Sequence, residues 1–390
     1  MSTKFVRLTV AAAAFVVAAH GLAVPQPEGV AFSMDAFTDD TLEPFSPDAE
    51  LQKLQARYPV AEQTHARRTA YGNAQGSSKQ KGSAKVKASS SGLSCFVPTV
   101  IGNQTFNLIY DTGSSDLEDH PTYAPTSSAH LLPKYTWSIK YAGGSEVSGI
   151  VYADTVKAGP VVAKKQAVQA ATVIQTEFAS DGILGLASGA INTVKPVKQK
   201  TFFETVLPTL EKKLFAANLR ADGKPSTWDF GYIDKSKFKG NIVYTPVVGD
   251  QKHWTVHVGP YSVGKGSYTK SEIGDVIIDS GTSLIYLPDA VVKDYYSHIK
   301  GYKLQEEGTH TFPCNTTIPD LNFKIENTAL TVPGRAINYT VYDPDQRICA
   351  GAVSPQLNMR YSVLGSLFMK YYYVIHSREE AAPKMGFASH

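Results

Sequence analysis

From Phe96 to the C-terminus the apolar positions come in short β-branched and aromatic runs broken by Gly, Asn and Pro. Tyr135-Thr-Trp-Ser-Ile-Lys-Tyr141, Gly149-Ile-Val-Tyr-Ala-Asp154 and Trp254-Thr-Val-His-Val258 are examples. Turn signals every 8–12 residues between such runs predict an all-β body. Two stretches carry a helical period instead, Phe202–Leu214 and Asp289–His298. The N-terminal region has another texture. Lys4 and Arg7 precede an apolar run from Leu8 to Ala19, and Gly21-Leu22-Ala23 offers small residues for cleavage. This predicts an export leader over residues 1–23, with an apolar run too short to span a bilayer. Residues 24–71 read as a small helical segment, in which Pro47-Asp-Ala-Glu-Leu-Gln-Lys-Leu54 supplies a cap and a periodic apolar face. Residues 72–92 are rich in Gly, Ser and Lys and read as a flexible linker.

Within the β-rich body, two apolar runs end in the same kind of triplet. The first is Asn107-Leu-Ile-Tyr-Asp-Thr-Gly-Ser-Ser115 and the second Asp275-Val-Ile-Ile-Asp-Ser-Gly-Thr-Ser283. Asp-[Ser/Thr]-Gly is also ordinary turn chemistry, so context has to decide. Each copy is followed at a similar distance by an apolar-apolar-Gly strand, Asp181-Gly-Ile-Leu-Gly-Leu186 and Tyr361-Ser-Val-Leu-Gly-Ser366. Gly185 lies 74 residues after Asp111, and Gly365 lies 86 after Asp279. That recurrence points to an internal duplication with one Asp in each of two lobes. Two carboxylates brought face to face cannot both ionise easily, so they share one proton. Such a pair can take a proton from water with one carboxylate and give one to a carbonyl oxygen with the other.

Charge and cysteines narrow the setting. A chain of 390 residues exceeds what one core usually fills. The net charge of +3 divides unevenly: residues 1–88 carry ten Lys/Arg and eight Asp/Glu, acidic groups gathering at 28–62 and basic ones at 65–87. No basic and aromatic surface is interleaved as nucleic-acid binding requires. Cys314 and Cys349, 35 residues apart, can pair in an oxidising compartment, which leaves Cys95 over. The cysteines lack metal-ligand spacing, and no cofactor motif occurs. Asn103, Asn315 and Asn338 each begin an N-glycosylation tripeptide.

Longer stretches carry a resemblance. Tyr135–Gly144, Asn192-Thr-Val-Lys-Pro-Val-Lys-Gln-Lys-Thr-Phe-Phe203, Trp228-Asp-Phe-Gly-Tyr-Ile-Asp234, Thr311-Phe-Pro-Cys314 and Lys384-Met-Gly-Phe-Ala-Ser389 are similar to the pepsin-like aspartic endopeptidases, in particular their secreted fungal branch. The resemblance covers about residues 93–390. It implies a bilobal all-β fold with an N-terminal lobe over 93–243 and a C-terminal lobe over 244–390, and a cleft between them. Asp111 and Asp279 match the catalytic pair, Ser114 and Thr282 the hydroxyls on the outer carboxylate oxygens, and Gly113 and Gly281 the glycines beside them. Residues 135–149 match the flap hairpin that closes over peptide, with Tyr141, Gly143 and Ser145 at its tip, and Phe178 matches an apolar-pocket aromatic. Large hydrophobic residues at P1 and P1′ are therefore expected. The implied partners are protein or peptide substrates and the chain's own prosegment, where Arg57-Tyr58 resembles an inhibitory basic-Tyr pair. A monomer is expected, without cofactor, metal, nucleic acid or membrane span, and exported either to the cell exterior or to a vacuole.

The sequence also departs from that pattern. After Leu117 the family continues with a Trp and about a dozen residues that this chain lacks, going on instead with Glu118-Asp-His-Pro-Thr-Tyr123. Position 143 is Gly where the flap usually carries Asp, and the region around Phe178 is short. A rival reading follows: a weakened or inactive protease-like protein that binds peptide without turnover. A β-rich carbohydrate-binding protein would explain the glycosylation signals but not the paired triplets. Secreted members of the branch are usually strongly acidic, whereas residues 89–390 carry 28 Lys/Arg against 27 Asp/Glu. An extreme acid optimum is not expected from that balance.

Overall fold

The computed structural model describes Leu54, Tyr58 and residues 79–88, 95–119, 123–140, 146–174 and 180–390, all within the unit Thr41–His390. The two Asp-bearing strands are built into matching frames. Gln104–Asp111 runs parallel to Gly182–Gly185, with Asp111 opposite Gly185. Glu272–Ile278 runs parallel to Ser362–Leu364, with Ile278 opposite Leu364, so Asp279 steps off the strand's end. Parallel partners need long crossovers, which is why the apolar-apolar-Gly segments lie far down the chain from each Asp. Each of these short strands also pairs antiparallel with the strand just after the triplet, Leu117–Asp119 in one lobe and Ile285–Leu287 in the other. Those in turn pair parallel with Val161–Ile174 and Val353–Pro355. Even single bonds repeat: Gly185 N–H donates to Asp116 O (2.8 Å) and Gly365 N–H to Leu284 O (3.0 Å), each acceptor five residues past its Asp.

The first frame belongs to an eight-stranded sheet and the second to a seven-stranded one. A six-stranded sheet joins the halves, interleaving Thr227–Phe230 and Leu214–Asn218 with Tyr372–Ser377 and Lys384–Ser389. Its edge strand Gly82–Lys85 is tied down by Ser83, which donates to Asp229; Lys237 and Tyr373 satisfy the same fully buried carboxylate. Phe215, Trp228, Phe230 and Phe202 fill the space above this sheet with rings, and Tyr110, one residue before Asp111, packs on Trp228 and Phe230. The Cys314–Cys349 disulfide is present and staples a four-stranded sheet of the second lobe; Cys95 is free.

One expectation needs correction. The helix read over Phe202–Leu214 is only Phe202–Val206, opened by a Thr201/Glu204 capping box and followed by one 3₁₀ turn at Leu207–Thr209. Pro208 has no N–H, and its ring clashes with the carbonyl four residues back, so the α-helix cannot continue. Leu214 starts a fully buried strand instead. The second helix, Asp289–Ser297, matches its reading. The shortened stretch after Leu117 does not interrupt the sheet: Leu117–Asp119 is paired on both sides.

Two buried imidazoles set a limit on acid stability. His376 is fully buried, stacked on Phe215 at 4.4 Å and edge-on to Trp254 at 5.0 Å. Burial lowers its pKa to about 3. His310 stacks on Tyr296 at 4.3 Å, with the Tyr302 hydroxyl 3.0 Å from its Nδ1, and burial lowers it to about 4. The unfolded chain binds these protons below about pH 6.5, and the folded protein does not until pH 4 or 3. Their contribution is therefore intact above 6.5 and is lost as pH falls, by up to about 1.4 kcal/mol per unit per histidine. His376→Phe should keep the stack and move the acid-unfolding midpoint, followed by near-UV circular dichroism, to lower pH. An unchanged midpoint would mean that other groups govern acid unfolding.

Candidate active site

Asp111 and Asp279 are both completely buried, and each is gripped by its own triplet. Gly113 N–H donates to Asp111 Oδ1 (2.8 Å) and Ser114 Oγ to Oδ2 (2.6 Å). In the other lobe Gly281 N–H donates to Asp279 Oδ1 (2.9 Å), and Thr282 Oγ1 donates to Oδ2. Each carboxylate thus has one backbone and one hydroxyl donor from its own triplet, an arrangement that fixes its plane.

The glycines report how close the carboxylates come. A Cβ on Gly113 would sit 2.6 Å from Asp279 Cγ, and one on Gly281 only 2.4 Å from Asp111 Cγ. Each carboxylate lies against the glycine of the other triplet, so any larger residue at either position would drive the pair apart. The two triplets thus bring the carboxylates face to face at their junction.

The middle residue of each triplet locks the lobes together, and this was missed in reading the sequence. Thr112 Oγ1 donates to Ile278 O (2.8 Å) and accepts from Ser280 N–H (2.9 Å). Reciprocally, Ser280 Oγ donates to Tyr110 O (2.7 Å) and accepts from Thr112 N–H (3.0 Å). The signal was available: both triplets carry a hydroxyl residue between Asp and Gly, where turn chemistry alone does not demand one. Next along the first triplet, Asp116 is buried and accepts from Gln169 Nε2, Asn192 Nδ2, and both the N–H and hydroxyl of Thr193. Burial pushes its carboxyl above the ordinary range despite those donors, and the four bonds pin the loop that follows Asp111 to residues 192–193.

A further side chain fills the space above the pair. Tyr58 is buried, and its hydroxyl donates to Asp279 Oδ2 at 3.0 Å. Tyr58 N–H bonds Leu54 O (2.8 Å), placing both apolar residues of one helical turn in the core of the β body. His253 packs edge-on to the Tyr58 ring at 5.1 Å.

Other expected site residues are placed less directly. The hairpin flanks His130–Lys140 and Glu146–Ala158 pair antiparallel up to Lys140 opposite Glu146, whereas Tyr141, Gly143 and Ser145 lie outside the described residues, as does Phe178. Glu118, at the position of the absent Trp, is buried. Asp181 accepts from Asn107 N–H (2.7 Å). Asn103 and Asn315 are exposed; Asn338 is half-buried, and its amide donates to Cys314 O.

The family model for eukaryotic aspartyl proteases matches residues 97–390. Aspergillopepsin-1 of Aspergillus fumigatus is 40% identical over 308 residues, 75% of this chain and 77% of the relative. Penicillopepsin-1 of Penicillium rubens is 40% identical over 325 residues, 79% and 81% of the two chains. Among solved structures, the aspartic proteinase from Irpex lacteus shares the fold with a TM-score of 0.67 at 21% identity, covering 80% of this chain and 97% of its own. The chain belongs to the eukaryotic aspartyl protease family, and it is an aspartic endopeptidase.

Proposed function

We propose that Asp111 and Asp279 are the catalytic pair of an exported, prosegment-controlled endopeptidase that cleaves protein substrates in mild acid, with large hydrophobic residues at P1 and P1′. The observation that carries this reading is the reciprocal approach of each carboxylate to the other lobe's glycine. Catalysis then needs no covalent intermediate. One carboxylate takes a proton from water as the oxygen attacks the scissile carbonyl carbon, and the partner's proton passes to the carbonyl oxygen. The resulting diol collapses when the C–N bond breaks and the nitrogen receives a proton. Ser114 and Thr282 hold the outer oxygens, so the inner ones face the water, and the hairpin carrying Tyr141, Gly143 and Ser145 closes over the peptide.

Tyr58 supports control by the prosegment. Its hydroxyl bonds Asp279 Oδ2, the oxygen Thr282 also holds, and its side chain fills the space beside Gly113 above the pair, so peptide has no room there until this residue leaves. Protonation of the pair weakens that bond, which couples release to acid. Export rests on the leader at residues 1–23, the disulfide and the exposed acceptors Asn103 and Asn315. Among the described residues no helix is long and apolar enough to cross a membrane. A working range in mild rather than extreme acid is proposed, because protonation of His376 and His310 costs the fold stability progressively as pH falls from about 6.5.

Acid treatment of the purified full chain should produce a species that cleaves a peptide with hydrophobic residues at P1 and P1′ and is blocked by a statine-type inhibitor. Asp279→Asn or Asp111→Asn should lower kcat on the order of 10³-fold or more. A folded chain whose residual turnover ignores both substitutions would favour the peptide-binding reading. Tyr58→Phe removes only the hydroxyl bond to Asp279, worth about 1.5 kcal/mol for a charged acceptor. Processing, followed by the mass of the chain across pH, should then begin roughly one unit higher. An unshifted onset would show that Tyr58 does not govern release.

A further inference from the structure

Twelve of the chain's lysines fall in four short segments, 79–87, 157–166, 195–200 and 207–213, which together hold one acid, Glu211, and no Arg, Asp or aromatic residue. Gln80 ties three of these segments into one surface. Its N–H donates to Thr209 O (2.7 Å), and its carbonyl accepts from Glu211 N–H (2.8 Å). Its side chain bonds both Val162 N–H (2.8 Å) and Val162 O (3.2 Å). The fourth segment joins through Gln166, whose amide donates to Lys200 O at 2.9 Å. Around these ties Lys79, Lys81, Lys164, Lys165, Lys200 and Lys212 are all exposed. Glu211 pairs with Lys81 at 2.8 Å, and that bond, with the charges of Lys212 and Lys79, holds its carboxyl below the usual range. One acid cannot neutralise the rest.

Two of the lysines are presented by a distortion of the sheet. Asp154 stands opposite Gln166 and Val156 opposite Ala163, so Lys164 and Lys165 together face the single residue Thr155. Such a bulge breaks the in-out alternation of the strand, and both side chains turn to solvent. Lys165 takes a φ of 55°, the left-handed region where a Cβ is strained and Gly or Asn is usual. A backbone outlier of this kind is kept where the groups it presents have a use.

We infer that this lysine face is a docking surface for an anionic polysaccharide. Ammonium groups are compact, hydrated point charges, suited to carboxylates or sulfates repeated along a polymer rather than to bidentate capture of one group. A protein partner needs an aromatic or Arg anchor to bury, and a bilayer needs apolar side chains to insert. Val197 is the one large exposed apolar residue on these segments. Single-stranded nucleic acid needs stacking rings, and the segments have none. The inference is independent of the endopeptidase reading, because docking is read without turnover.

The purified full-length chain should bind heparin and polygalacturonate. Log Kd should rise linearly with log salt, with a slope of roughly 4 if six lysines each contribute about 0.7. Binding of both polymers assigns the face to anionic charge in general, and binding of heparin alone assigns it to sulfates. Lys165→Gly removes a charge and relieves the left-handed strain, so Tm should hold or rise while heparin affinity falls roughly 4-fold at physiological salt. Adding Lys164→Gln should bring the loss to roughly 15-fold and lower the slope by about 1.4. Lys265→Gln with Lys270→Gln, at exposed positions of the second lobe, should leave binding unchanged. Three results would overturn the inference: no binding of either polymer even at low salt, equal losses in the second-lobe pair and the bulge variants, or tighter binding of double-stranded DNA or poly-glutamate than of heparin.

Discussion

Everything in this active site depends on four hydrogen bonds that cross between the lobes at Thr112 and Ser280. Each residue uses its hydroxyl as donor and acceptor and its N–H as donor, so the two triplets form one closed ring. Such a ring leaves little freedom for the triplets to slide, and the carboxylates hang directly from it. The geometry also explains the glycines. With the triplets this near, each Gly backbone lies against the opposing carboxylate, and no side chain fits there. The dyad is thus a property of an interface between two duplicated frames, and neither lobe could make it alone.

The shortened first lobe shows which parts of that frame matter. The chain departs from the family pattern after Leu117, but the strand beside the triplet keeps both partners. Asp116 adds a second fixture by gathering Gln169, Asn192 and Thr193 around one buried carboxylate. The bonds that aim Asp111 are in place inside the lobe. That intact support favours turnover over binding alone.

Much of this was legible in the chain. The paired triplets and the apolar-apolar-Gly repeats are local patterns with a direct structural meaning, and they locate both carboxylates and both parallel frames. The disulfide followed from spacing and compartment. The helix past Val206 was misjudged because its apolar residues serve a 3₁₀ turn and a buried strand, and periodicity over so few residues does not separate these. The contact between Tyr58 and His253 was harder for another reason. It joins segments some 200 residues apart, and although Arg57-Tyr58 resembles an inhibitory pair, His253 carries no motif of its own. His376 stood in an ordinary strand pattern; only its burial on Phe215 and Trp254 makes it an acid-sensitive point.

The central claim, that the closed ring of Thr112 and Ser280 sets the catalytic geometry, is tested most directly by a double-mutant cycle on kcat with Thr112→Val and Ser280→Ala. Either change opens the ring, so each alone should lower kcat on the order of 10²-fold while the chain still folds cooperatively. The double variant should be only slightly slower than either single one. Losses that multiply, or single variants that retain full turnover, would contradict the account and place control of the dyad elsewhere.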